Sequence, residues 1–348
     1  RGAFRECQEY GVFSLFRLMR FLDGNGLLDN ALELKVVTNN AWPVLPGERT
    51  RPYGAALAGF TACIPKEFPR IRACCLDLDG TDIADALAKD AGRHLVEKIA
   101  GEPGKNVIRK IAFRNGGRYE ERLLPTNLPA AQDSPFREDG VYLIIGGLGA
   151  VGLVLARHLA EKTSGHLILM GRSPLTPEKK EKLDRIETGK ASLSYVQSDI
   201  TDHECFKASV EEIKSSRGPI NGVFHSAMVW EEWTIREMDE GLFRSSLAPK
   251  VEGSRVLGRV FEREELDFMV FFSSAQSFFG NLKRSHYAAA STFQDAWALH
   301  LNTRLRFPVK TVNWGYWGTD NIVSDDEAVR IFRERGIQPI LPATGMAA

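Results

Sequence analysis

The chain has 348 residues, enough for two domains or one large one, and its 45 Lys and Arg balance its 45 Asp and Glu to a formal charge of zero. That balance argues against nucleic acid as a main partner, because phosphate backbones select a basic excess. An apolar fraction of 43% and a charged fraction of 26% describe an ordinary globular protein whose core needs no disulfide or metal staple.

In chain order, Val12 to Leu22 carries Phe13, Phe16, Leu18, Met19 and Leu22 at helical spacing. Leu34 to Thr38 reads as a strand, Gly54 to Ala62 as a helix of small residues, and Ala73 to Leu78 as a buried strand holding Cys74 and Cys75. With Cys7, Cys63 and Cys205 the cysteine count is odd and contains no CxxC pair, so Cys74 and Cys75 are expected as buried strand thiols rather than as metal or redox groups, in a reducing cytoplasm. Val107 to Phe113 and Arg118 to Leu123 flank Asn115-Gly116-Gly117, a hairpin signal. Leu124 to Pro135 is proline-rich and turn-prone and reads as a linker. It divides the chain into 1–135, which shows no phosphate loop or chemical cluster and reads as structural support, and 136–348.

The second part alternates strands and helices. Val141 to Ile145 is a strand, Val151 to Glu161 a helix, and His166 to Met170 a second strand. Tyr195 to Gln197, Gly222 to His225, Phe268 to Phe272 and Lys310 to Asn313 supply four more, and Tyr287 to Leu301 an alanine-rich helix. Short apolar strands separated by helices imply an α/β fold with a parallel, doubly wound sheet, whose ligands bind at the carboxyl ends of the strands. Asp325 to Arg335 is a possible helix, read either as a lid or as a solvated charged face. No apolar run approaches the roughly 20 residues of a membrane span. No leader is visible, and the start at Arg1 suggests a segment of a longer polypeptide.

The run Gly146-Gly147-Leu148-Gly149-Ala150-Val151-Gly152 stands between a strand and a helix, the context a dinucleotide site requires. Glycines permit the tight turn and the approach of a pyrophosphate, and the helix start supplies unpaired N–H groups. A plain strand-to-helix turn is the blander reading. At the end of the next strand, where an NAD site often has a carboxylate, the chain has Gly171-Arg172-Ser173. Arg172 can pair with a 2′-phosphate and Ser173 can donate to it, which points to NADPH. Asp199 reads either as an acceptor for the adenine amino group or as a strand-end cap. Carbonyl reduction needs a hydride donor and a proton donor. Tyr287, thirteen residues after Ser274, can give the proton, Lys250 is a candidate cation beside it, and Ser274 can hold the carbonyl oxygen.

On these motifs the sequence resembles the ketoreductase domains of modular polyketide synthases, within the short-chain dehydrogenase/reductase superfamily. Asp199-Ile200-Thr201-Asp202, His225-Ser226-Ala227, Pro249 to Gly253 and Val312-Asn313-Trp314-Gly315 carry the resemblance further. It implies a Rossmann catalytic subdomain with a smaller, truncated Rossmann-like structural subdomain that binds no cofactor. It implies Tyr287 as proton donor, Ser274 as the carbonyl-binding serine, and Lys250 as the lysine that binds ribose and assists the tyrosine. The glycine turn, Arg172, Ser173, Asp199, Ile200, His225, Ser226, Ala227 and Asn313 would line the cofactor. Implied partners are an acyl carrier protein bearing a β-ketoacyl chain and neighbouring synthase domains, with neither nucleic acid nor membrane involved. Ser291 stands where the family often has asparagine and could join a proton relay, a departure that resembles synthases whose acyltransferases act in trans. Trp230-Glu231-Glu232 resembles the D-hydroxy marker more than Phe279 resembles the L-marker tryptophan. The competing expectations are a degenerate reductase kept as a scaffold and a free-standing reductase or epimerase.

Overall fold

In the computed structural model, which describes residues 2–80, 83, 92–103, 110–127, 134–318 and 336–347, the strands form two sheets. Strands β1 (Leu32–Asn39), β2 (Ile71–Leu78), β3 (Lys110–Arg114) and β4 (Gly117–Glu120) make the first, in that order. The second has the order β10-β9-β8-β5-β6-β7, built from β5 (Val141–Ile145), β6 (His166–Gly171), β7 (Ser192–Gln197), β8 (Ile220–His225), β9 (Phe268–Ser274) and β10 (Val309–Trp314). By compactness the chain divides into two units that are not contiguous in sequence. One holds Arg1–Leu128, Val229–Val251 and Ala275–Thr303, the other Pro129–Met228, Glu252–Ser274 and Arg304–Ala348.

In the first unit β1, β2 and β3 are parallel and β4 returns antiparallel through Asn115 and Gly116, both at positive φ, as a two-residue hairpin turn demands. The expected helix from Val12 begins at Ser14, because Gly11 (φ −94°, ψ −111°) interrupts a helical run that starts earlier, with a π-turn at Glu9–Phe13. The carboxyl edge of this sheet is closed by an ionic cluster. Asp77 on β2 accepts from Thr38 Oγ1 on β1 (2.7 Å) and from Ala41 N (2.9 Å). Its other oxygen accepts from Arg114 Nη2 on β3 (2.6 Å), and Glu48 pairs with Arg114 Nε. Asp77 and Arg114 are both buried, so each charge depends on the other for solvation. Cys63, Cys74 and Cys75 are buried free thiols, whereas Cys7 and Cys205 are exposed.

Helices Ala56–Glu67 and Ser285–Asn302 belong to the same unit and touch backbone to backbone at Gly59, where a Cβ would collide with the Ala288 carbonyl oxygen. Small residues on both helices allow this approach. Thr292, beside the same glycine, donates from Oγ1 to Ala288 O of its own helix (2.8 Å) and to Ser277 O (3.3 Å).

In the second unit all six strands are parallel, and relabelling them by chain order gives 3-2-1-4-5-6, the doubly wound arrangement. Tyr142 to Ile145 and Leu167 to Met170 are almost wholly buried because helices cover both faces. The strand order reverses between β5 and β8, so the segments that follow those two strands meet at the switch point. Asp325 to Arg335 lies outside the described residues. No described helix is long and apolar enough to cross a membrane.

Candidate active site

The turn after β5 is built by close approach. Gly146 N donates to Met170 O (2.8 Å), and Gly149 N to Gly146 O (2.9 Å). Gly146 has φ +79°, and a Cβ there would stand 2.6 Å from Ala227 N. Ser226 N and Oγ both donate to Ile145 O at 2.8 Å, which ties the segment after β8 against the turn. The helix Ala150–Lys162 starts on Gly149 (φ −74°, ψ 166°), a cap with no side chain. Among the described residues, only the turn's own Gly146 carbonyl lies within 4 Å of where a Gly149 side chain would be. The glycine N–H groups are spent on holding the turn, whereas the first turn of the helix that follows has no capping side chain, so its N–H groups from Ala150 on can meet an anion, which fits a dinucleotide pyrophosphate.

Beyond β6, Tyr195 OH donates to Gly171 O (3.0 Å) and Ser173 O (2.5 Å), and Gln197 Nε2 donates to Arg172 O (3.2 Å). Strand β7 thus holds the Gly171-Arg172-Ser173 loop by its carbonyls, leaving Arg172 and Ser173 exposed. Lys179, which the sequence reading passed over, donates from Nζ to Ser173 Oγ (2.5 Å). Two cations and a hydroxyl, with the Lys179 hydrogen bonds going to Ser173 and Pro174 rather than to a carboxylate, suit a phosphate monoester. Asp199 accepts from Thr201 N and Oγ1 through one oxygen (both 2.8 Å), and Asp202 caps the helix His203–Arg217. His225 is fully buried, edge-on to Phe271, with its Nε2 beside Gly253; Ile200 packs against the same glycine. Asn313 Nδ2 donates to Ser274 O (3.4 Å), which joins the ends of β9 and β10.

Lys250, Tyr287 and Ser291 lie in the first unit. Lys250, on the helix Glu240–Val260, and Tyr287, on the helix Ser285–Asn302, are 2% and 7% exposed, and the lysine Nζ is 5.7 Å from the phenol ring centroid. Burial lowers the lysine to about 7 against the pull of Asp295, so the ammonium is held poised near neutrality. Nζ donates to Gln294 Oε1 at 2.6 Å, a partner that lies seven residues after Tyr287 on one helix face. Ser291, between them, is fully buried. Trp230 stands edge-on to Tyr287 at 5.9 Å and is itself covered by the Arg284 guanidinium at 3.8 Å. Arg284 also donates to Glu231 O (2.9 Å) and pairs with Glu232, so the Trp230–Trp233 segment is tied to the residues just before Tyr287. Phe279 is exposed.

The structure thus brings Lys250, Tyr287, Ser291 and Gln294 together in one unit. In the other it joins the glycine turn to Ser226 and Ala227, and Ser274 to Asn313. Gln294 carried a signal in its seven-residue spacing from Tyr287. Lys179 carried none, since it sits in the charged run Glu178 to Lys182, which is indistinguishable from a solvated helix face.

A family model described as KR domain matches residues 140–319. The chain is 36% identical to polyketide synthase ThaG of Burkholderia thailandensis, over 98% of its own length and 6% of that protein. It is 31% identical to polyketide synthase PksM of Bacillus subtilis, over 98% of its length and 8% of that protein. It therefore spans less than a tenth of these relatives. Among solved structures, a ketoreductase domain from the bacillaene assembly line superposes with a TM-score of 0.80 at 25% identity, covering 99% of this chain and 80% of that one. A-type ketoreductases from a modular polyketide synthase superpose with a TM-score of 0.76 at 26% identity, covering 95% and 68%.

Proposed function

The chain belongs to the KR domain family, and from that premise we propose that it is an NADPH-dependent ketoreductase acting on a β-ketoacyl thioester carried by an acyl carrier protein. The observation that carries the reading is the buried pairing of Lys250 with Tyr287, a cation beside a phenol. NADPH, when bound, supplies the hydride that the keto carbon accepts. Tyr287 gives its hydroxyl proton to the oxygen that becomes the alkoxide, and Lys250 offsets the negative charge left on the phenolate. Ser274 holds the same oxygen by a hydrogen bond. The product is the β-hydroxyacyl thioester.

For the cofactor, the Gly146 to Gly152 turn takes the pyrophosphate, and Arg172, Ser173 and Lys179 take the 2′-phosphate. Asp199 and Ile200 border the adenine. His225 acts through its packing, so the backbone of Ser226 and Ala227 is what the β8 end offers, and Asn313 borders the nicotinamide. Ser291 joins the proton path, and residues 1–135 support. The ion cluster at the carboxyl edge of the first sheet favours that last role, because it fills the edge where a doubly wound sheet otherwise takes a ligand. Neighbouring domains of a synthase are the expected surroundings.

NADPH oxidation by the chain with a β-ketoacyl thioester surrogate, and the hydroxy product, are to be measured. Tyr287→Phe is expected to lose roughly 100-fold or more in turnover while keeping NADPH affinity. NADPH binding without turnover in the unaltered chain would favour the scaffold instead, and a Phe variant at full rate would remove Tyr287 from the chemistry.

A further inference from the structure

We infer that Gln294 is a positioning residue for Lys250: its side-chain oxygen anchors the buried ammonium beside Tyr287 and keeps it charged. The role assigned to Tyr287 rests on the ketoreduction proposed above; the Lys250–Gln294 coupling does not.

The geometry is specific. The helix Ser285–Asn302 turns once every 3.6 residues, so Tyr287, Ser291 and Gln294 line one face of it. Lys250 enters against that face from a different helix, with its Nζ 2.6 Å from Gln294 Oε1 and 5.7 Å from the Tyr287 ring centroid. Both ends of the hydrogen bond are removed from water, at 2% exposure for Lys250 and 0% for Gln294. A desolvated ammonium gains most from a donor–acceptor pair it can keep, and a bond from a charged donor is about twice as strong as a neutral one.

The electrostatics require such an acceptor. Burial drives the lysine down to about 7, and Asp295 on the same helix pulls the other way. The Tyr287 ring also lies against it. Burial and Asp295 thus act on the ammonium in opposite directions, and the group that accepts the Nζ proton's hydrogen bond adds to the side that keeps it charged. An amide oxygen favours the ammonium without adding a charge of its own. A carboxylate at the same place would tie the proton to Lys250 over a wide pH range, and an apolar side chain would release it. A glutamine thus leaves the lysine charged enough to offset a phenolate and labile enough to titrate with the medium.

The test is a titration of Lys250 in the chain without cofactor, by NMR of 13Cε- and 15Nζ-labelled lysine, with the resonance identified from its absence in Lys250→Met. In Gln294→Leu the Lys250 midpoint is expected to fall by about one pH unit, which is a tenfold loss of the charged form at a fixed pH above it. In Gln294→Glu it is expected to rise by at least as much. The high-pH limb of the turnover profile should move with the midpoint, down for Leu and up for Glu. A purely structural glutamine would lower the melting temperature in both variants and leave the Lys250 midpoint in place, which would overturn the inference. If the Leu variant does not fold, the rise in the Glu variant is decisive by itself. Midpoints that move in a chain that never turns over would refute the ketoreduction and leave the coupling standing.

Discussion

At the scale of single residues, charge decides the two sharpest expectations. Lys179 and Arg172 flank Ser173 with no carboxylate among their hydrogen bonds, and Lys179 is held there by a bond to the Ser173 hydroxyl. Removing either cation should weaken NADPH binding by about tenfold, the scale of one charge-assisted hydrogen bond, and leave NADH binding unchanged. Fluorescence titration of both nucleotides reads this, and equal losses for the two would place the 2′-phosphate elsewhere. Glu67 is governed by desolvation. Its carboxylate, half-buried, accepts from Ile235 N (2.5 Å), and burial raises it from 4.5 to about 7. The folded state thus holds the proton more tightly than the unfolded one. Its contribution is full below about 4.5 and is lost as the pH rises to about 7. Over that window the wild type should lose melting temperature relative to Glu67→Gln and stop losing above it, whereas parallel curves would contradict the shift. Tyr287 and Ser274 were legible in the sequence because a strand end and a helix start announce themselves. Gln294 shares a helix face with Tyr287 by its seven-residue spacing, but its contact with Lys250 on another helix, like that of Lys179 with Ser173, is not encoded in local patterns.

At the scale of elements, five strands of the second sheet were read nearly to the residue, whereas β7 begins three residues before the expected Tyr195 and β4 ends three before the expected Leu123. Buried parallel strands are continuous apolar runs, and β5, β6 and β8 to β10 extend each expected run by no more than two residues at either end. The helix from Gly54 was placed two residues early and stopped five short, for it runs Ala56–Glu67 through Pro65, a residue that reads as a terminator. What its glycine does was not readable. Gly59 lies where the helix meets Ser285–Asn302, and Gly59→Ala should destabilise by about 1–3 kcal/mol, as forced contacts in packed interiors do. Gly101 ends another helix in open space, and Gly101→Ala should cost nothing or stabilise by up to about 1 kcal/mol. Urea unfolding of the two variants separates packing from propensity, and equal effects would show that the close approach is unimportant.

At the scale of the whole molecule, the chain carries two sheets of related design with opposite uses of the same edge. In one, the carboxyl ends are occupied by Asp77, Arg114, Thr38 and Glu48; in the other they end in glycine backbone and exposed cations. Asp77→Ala leaves a buried guanidinium short of its partner and should cost about 3–5 kcal/mol. If the first sheet is support, the melting temperature falls while NADPH affinity, measured well below that temperature, stays the same; a matching loss of affinity would assign it a part in binding. The sequence by itself determined the α/β class, the order of strands and helices and the glycine turn, because each rests on local spacing, and it singled out Tyr287, Ser274 and Lys250 as candidates by residue type alone. Only the tertiary structure decided that Val229–Val251 and Ala275–Thr303 pack with the first part of the chain, that Lys250 is buried against Gln294, and that Gly59 is a contact. Those outcomes depend on which distant surfaces exclude water from one another, and a buried ammonium acquires its properties from that exclusion.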